Sequence, residues 1–307
     1  MVVSSCLLPG AAVVVPSVSP APDPQTLDGA AEPADAKVVV TPNGVVLPVL
    51  EATDTGWLVS TPCQNEVELP LSGGQPVAEA TVVLDPGHGG REPGAVSAAG
   101  LTEKSVNLNV AREVKGRLEA QGISVLLTRG SDVRMPLVSR AEIVNVIKPD
   151  LFVSIHHNAG TSRRLDGPGT EIYFQISSVP ARRLSGLIYE EGFAALSERY
   201  PGVPWVGALD AGPVFWTDPQ GEDYLGMLRR TKGTPAVLTE FAYLSNPAEA
   251  AIIATPEFQR LEADSISRGI VRWMQTKDPG SGYKTVRPRG VPGSSGGTAN
   301  CVDPPFS

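Results

Sequence analysis

Histidine and cysteine are both scarce, three of each in 307 residues, and the scarcity removes several kinds of site. The cysteines stand at 6, 63 and 301 with no C-x-x-C pair, which excludes a structural zinc ribbon and a dithiol redox motif. No two histidines have the helical spacing of H-E-x-x-H, so that class of metal site is excluded as well. Positive charge is short: 25 Lys and Arg against 33 Asp and Glu leave a formal net charge of -8. Nothing suggests the broad basic surface that phosphate backbones require, and no nucleic-acid partner is expected. No run approaches the roughly 20 apolar residues that would carry a helix across a bilayer, so no transmembrane span is expected.

What is present divides the chain into four stretches. Residues 1–36 hold no Lys or Arg and six prolines, the composition of a segment that cannot offset its ordering entropy by burial. Within them Cys6-Leu7-Leu8 and the run Ala11 to Val15 resemble part of a secretory apolar region, though Pro9 and Pro16 interrupt it. Two readings stand, a signal remnant or a disordered leader. Val3-Ser4-Ser5-Cys6 also has the look of a lipoprotein box, in which case Cys6 would carry lipid. Residues 37–76 turn to short β-rich runs at Lys37–Val40, Val45–Leu50, Gly56–Ser60 and Glu66–Leu69, with Asn43-Gly44 as a hairpin signal. They are expected to form a small, SH3-like β-module that leans on the next domain.

From 77 to 277 strands alternate with helices, the pattern of an α/β domain. Strands are expected at Ala80–Asp85, Ile123–Thr128, Asp150–Ile155, Thr170–Phe174 and Pro235–Thr239. The helix expected over Glu103–Gln121 places Val106, Val110, Val114 and Leu118 on one face, with Gly122 as its stop. Others are expected at Leu137–Ile147, Ala181–Ser197 and Tyr224–Arg230, and from Pro247 and Pro256, each of these last two opening with proline in its first turn. The fold class is therefore a mixed, mostly parallel sheet flanked by helices, preceded by the β-module. Eleven of the last 30 residues are Gly or Pro, so 278–307 is expected to be a flexible tail. In an oxidising compartment Cys63 and Cys301 could tie that tail to the module; unconnected thiols are the other reading.

All three histidines follow predicted buried strands, in Asp85-Pro86-Gly87-His88-Gly89-Gly90 and Ser154-Ile155-His156-His157-Asn158. Ligands of open α/β sheets bind outside the carboxyl ends of the strands, and both loops and Glu240 belong to that rim. Glu103, at the start of the first long helix, lies on the same rim. Two imidazoles and a carboxylate are a common protein contribution to catalytic zinc, although a carboxylate in a first turn is favoured by the helix dipole alone. A strand-end Glu240 could equally sit in a salt bridge.

Several motifs, in order, resemble one family. Leu84-Asp85-Pro86-Gly87-His88-Gly89-Gly90, Gly100-Leu101-Thr102-Glu103-Lys104 with Asn107-Leu108, Thr128-Arg129, Arg140, Ser154-Ile155-His156-His157-Asn158-Ala159, and Pro235 to Glu240 with Leu244-Ser245-Asn246 look like the zinc-dependent N-acetylmuramoyl-L-alanine amidases of the amidase-3 type. The resemblance implies that His88, Glu103 and His156 bind Zn2+ and that Glu240 is the catalytic acid/base. It also implies a phosphorylase/hydrolase-like fold, a peptidoglycan or muropeptide substrate and an extracytoplasmic location. Asn158 and Asp85 are candidates for orienting the ligands, with loop capping as the alternative; Arg129 and Arg140 are expected to be structural. Two departures stand out. His157 replaces a commonly small residue, and because successive strand residues face opposite ways only one of the two histidines should reach a metal, leaving His157 to line the cleft. Ala242 stands where the family usually has glycine. Two further readings remain open: a zinc peptidase acting on another cell-wall amide, and a non-catalytic peptidoglycan-binding regulator.

Overall fold

The computed structural model describes residues 31–160, 162–207, 211–282 and 297–307. The leader at 1–30, with Cys6 and its expected lipid, lies outside the described residues.

Five strands open the fold: β1 Val38–Val40, β2 Val46–Thr53, β3 Gly56–Ser60, β4 Glu66–Pro70 and β5 Gln75–Val77. They form an antiparallel sheet in the order β4-β3-β2-β1-β5. Residues 31–36, expected to belong to the linker, pack on this sheet instead: Trp57 is buried and its indole N–H donates to the carbonyl of Pro33 at 2.8 Å. A buried indole N–H needs such an acceptor, which orders the segment that supplies it.

The second part contains β6 Val82–Pro86, α1 Glu103–Glu119, β7 Val125–Leu127, α2 Leu137–Ile147, β8 Leu151–Asn158, β9 Arg163–Arg164, β10 Glu171–Phe174 and α3 Val179–Arg199. It continues with β11 Val206–Gly207, β12 Gly212–Val214, α4 Gly226–Arg230, β13 Ala236–Tyr243, α5 Pro247–Ile253 and α6 Pro256–Gln275. Six strands make the central sheet, ordered β12-β10-β13-β8-β6-β7, and every neighbouring pair is parallel except β10 with β13. β9 and β11 form a separate two-stranded ribbon.

Period-two alternation distributes the strand side chains between two apolar layers. Val82, Leu84, Val153 and Ile155 face the layer built by Val106, Val110 and Val114 of α1, Leu184 and Ile188 of α3, and Phe258 and Ile266 of α6. Val83, Phe152 and Tyr173 face the opposite way, into a layer that joins Ile143 and Val144 of α2 to Val38, Leu47 and Trp57 of the N-terminal sheet. The β-module thus covers the second face of the central sheet together with α2.

The described parts of the expected flexible tail, 278–282 and 297–307, are anchored to the rest of the protein. Arg183 donates to the carbonyl of Asp278 at 2.6 Å, and Ser281 to the carboxylate of Glu190 at 2.8 Å. Farther on, Cys301 is disulfide-bonded to Cys63, and Asp303 accepts from the backbone N–H of Cys63 and the hydroxyl of Thr61, both at 2.8 Å. A segment too polar to order itself by burial is held here by a covalent bond and a carboxylate cap.

Candidate metal centre

The centre is assembled on the carboxyl ends of β6 and β8. Leu84 and Asp85 continue β6 into Pro86, and the loop that follows is clamped by two arginines. Asp85 is fully buried and accepts from Arg140, Thr128 and Ser154. Burial alone would raise its pKa, but the charge of Arg140 and these hydrogen bonds outweigh it and hold the carboxyl below its ordinary value. Arg140 also donates to the carbonyls of Pro86 and His88. Arg129 donates to Pro86 at 2.9 Å, Gly87 at 3.0 Å and Lys104 at 2.9 Å. Asp85 therefore acts on the loop through Arg140, and both arginines are structural. The loop presents His88 from a left-handed backbone, φ 61°, a conformation that an L residue adopts at a cost.

Glu103 opens α1, but its carboxylate turns away from the helix end. It lies 3.1 Å from Nε2 of His88 and 2.9 Å from Nδ1 of His156. The N–H groups of Ala95, at 2.8 Å, and His157, at 3.2 Å, also donate to it. Burial would raise its pKa, but hydrogen bonds and charge from the two histidines hold it well below the carboxylate range. Burial lowers His156 below the usual imidazole value despite Glu103, which favours the neutral ring that a metal ligand must offer. One ligand atom from each of His88, Glu103 and His156 lies within 4.8 Å of the other two. Two imidazole nitrogens and one carboxylate oxygen suit a catalytic zinc with an open position.

Two glycines make the close approach possible. A Cβ on Gly87 would lie 2.2 Å from Cε1 of His156. One on Gly94, at φ +69°, would lie 2.4 Å from Oε2 of Glu103 and 2.6 Å from Cδ2 of His88. Gly87 belongs to the histidine loop already marked in the sequence; Gly94 carries no comparable signal.

Strands β8 and β13 run farther than expected, to Asn158 and Tyr243, because they go on pairing with each other from Glu240 and His156 to Tyr243 and Asn158. That register sets Glu240 opposite His156 on one side and opposite Glu171 of β10 on the other. Burial and then the charges of Glu103, Glu171 and Glu262 push the Glu240 carboxyl well above its ordinary pKa. Its Oε2 is buried and has no hydrogen-bond partner among the described residues. Asn158 does not reach the histidines; it donates to Glu171 at 2.6 Å, as does Tyr173.

His157 corrects the expectation that it lines the cleft. Strand alternation turns it into the core, where it is 2% exposed and lies 2.9 Å from both Oδ1 of Asn107 and Oε2 of Glu262. Burial would lower its pKa, but the charge and hydrogen bond of Glu262 raise it above the usual value. Glu262 escaped sequence reasoning, although a carboxylate between Phe258 and Ile266 on the buried stripe of α6 is an available signal.

The sequence model of the N-acetylmuramoyl-L-alanine amidase family (Amidase_3) matches residues 82–272. This chain belongs to that family. Among similar proteins, the amidase-family chain is 33% identical over 223 residues to the N-acetylmuramoyl-L-alanine amidase AmiC of Neisseria meningitidis, an alignment covering 64% of this chain and 53% of that protein. It spans about half the length of that relative. It is 31% identical over 226 residues to the germination-specific N-acetylmuramoyl-L-alanine amidase of Bacillus subtilis, covering 69% of this chain and 84% of that one. The solved structure of the amidase AmiC2 of Nostoc punctiforme matches with a TM-score of 0.52 at 29% identity, over 63% of this chain and 96% of that one. The matched region of the amidase-family chain contains the three candidate ligands and Glu240.

Proposed function

We propose that the chain is a zinc-dependent N-acetylmuramoyl-L-alanine amidase that hydrolyses the amide between the lactyl group of N-acetylmuramic acid and the L-alanine of the stem peptide in peptidoglycan. The observation that carries this reading is the convergence of His88, Glu103 and His156, with the half-buried Glu240 paired across the strand from His156, inside a domain of an amidase family. An amide has a poor leaving group, so its hydrolysis needs an activated water, stabilisation of charge on the carbonyl oxygen and a proton for nitrogen.

Zinc held by the three ligands would supply Lewis acidity, lowering the pKa of water towards about 7 and polarising the carbonyl. Arg129 and Arg140 keep the His88 loop in place while the substrate is bound. Glu103 is held ionised by its partners, and His156 neutral by burial, so each offers a lone pair. Glu240 would take a proton from water and pass it to the departing nitrogen. A carboxyl of raised proton affinity suits both transfers, and such general acid/base work contributes about 10²–10⁴-fold to rate.

The wall substrate places the site of action outside the cytoplasmic membrane, and the Cys63–Cys301 disulfide fits an oxidising compartment. No helix among the described residues is long and apolar enough to cross a membrane. The test is digestion of purified peptidoglycan with mass analysis, beside elemental analysis for zinc. Release of peptides beginning with L-alanine is expected, Glu240→Ala should lose about 10²–10⁴ in turnover with zinc retained, and His88→Ala should lose the metal. Cleavage within the stem peptide would overturn the assigned bond, and unchanged turnover in Glu240→Ala would remove its role.

A further inference from the structure

Beneath the metal centre lies a row of buried polar groups that the reaction itself does not use. It begins on α6, where Glu262 is completely buried. One of its carboxylate oxygens, Oε1, has no hydrogen-bond partner among the described residues, while Oε2 lies 2.9 Å from Nε2 of His157. A carboxylate buried with one oxygen unsatisfied is expensive, and such exceptions call for a reason.

The hydrogen-bond roles along the row can be deduced. The carbonyl of Gly87 can only accept, so Asn107 must direct Nδ2 at it, at 3.3 Å, and the same Nδ2 lies 3.3 Å from Oε1 of Glu103. Oδ1 of Asn107 then faces Nδ1 of His157 at 2.9 Å, and that ring nitrogen must be the donor. The orientation of the ring consequently fixes the amide, and the amide fixes both a carboxylate oxygen of a ligand and the carbonyl beside His88. The backbone N–H of His157 donates to the same Glu103 oxygen at 3.2 Å. Phe258, one helical turn before Glu262, packs against the His157 ring with centroids 6.5 Å apart and leaves Glu262 as the group that holds Nε2.

We propose that Glu262 is a positioning residue for the metal ligand Glu103, acting through His157 and Asn107. This rests on the assignment of zinc to His88, Glu103 and His156. Partners that orient ligands from behind are commonly worth about 10- to 100-fold in metal affinity. The relay runs from α6 through β8 to α1, so the ligand carboxylate is fixed by a helix that contributes no ligand.

The test is zinc affinity, measured by competition with a chromophoric chelator on the full chain, for wild type, Glu262→Gln, Glu262→Leu and Asn107→Leu. Thermal melts establish that each variant is folded. Glutamine can donate its amide to Nε2 and leave Nδ1–H pointing at Asn107, so Glu262→Gln should bind zinc as wild type does. Glu262→Leu strands Nε2 without a partner and should weaken zinc binding about 10- to 100-fold. Asn107→Leu should do the same, and in the double variant the two losses should fall short of their sum, because they break one relay. If Glu262→Leu does not fold, Glu262→Met, which likewise leaves Nε2 without a partner, takes its place beside Glu262→Gln. Wild-type affinity in a folded leucine variant, or equal losses in Glu262→Gln and Glu262→Leu, would overturn the relay. A wild-type chain that bound no zinc would instead overturn the assignment on which it rests.

Discussion

Glu240, the proposed acid/base, carries a pKa shift that works against the fold. Its pKa is raised by burial and by three neighbouring carboxylates, whereas in the unfolded chain it titrates near 4.3. Its neutral form is therefore fully compatible with folding below about pH 4.3, and the corresponding stability is lost as the pH climbs towards the raised folded value. In the metal-free chain, Glu240→Gln should be more stable than wild type at pH 7 and equal to it near pH 4, as read from urea unfolding at the two values. Equal stabilities at both would show that the carboxyl is not raised. At this scale the members of the candidate site were legible: scarcity pointed to the histidines, and ordered motifs to Glu103 and to the proposed acid/base Glu240. His157 was misjudged because alternation says that two adjacent histidines diverge, but not what lies behind the sheet to receive the second. Glu262 owes its importance to His157, far away in sequence and 2.9 Å away in space, and Gly94 to the room that a Cβ would take from Glu103 and His88.

Among the elements, long helices and buried strands followed their apolar periods closely. Among the strands that escaped, β5 and β12 share a reason: each is three residues long, contains proline and lies at the edge of its sheet, where proline is tolerated and the apolar signal is weakest. The extension of β8 through His156, His157 and Asn158 was hidden for another reason, since these polar residues continue the ladder only because β13 is there to pair with. The junction of β6 with its loop depends on α2 through Arg140. Replacing Arg140 by Met should cost about 3–5 kcal/mol, the usual result of leaving a buried charge, here Asp85, without its partner. Urea denaturation would measure it, and a loss below about 1 kcal/mol would mean that the pair behaves as an exposed one.

For the whole molecule, composition divided the chain into four stretches with the β-module expected to lean on its neighbour, and the described parts share apolar layers. The N-terminal sheet and α2 belong to one continuous buried cluster, a long-range arrangement that periodicity cannot express. The Cys63–Cys301 bond spans 238 residues of sequence and restricts the unfolded chain accordingly. Replacing both cysteines by serine should lower stability by about 2–4 kcal/mol, measured by denaturant midpoint; an unchanged midpoint would assign the holding of the C-terminal segment to Asp303 and its hydrogen bonds alone.

That bond also closes the polypeptide into a covalent ring, because the entire family-matched region from 82 to 272 lies between the two cysteines. A protease that cuts once anywhere inside the ring converts it to an open chain of the same mass plus one water and releases no fragment. A molecule nicked between His88 and His156 keeps both halves of its candidate metal centre tethered to each other.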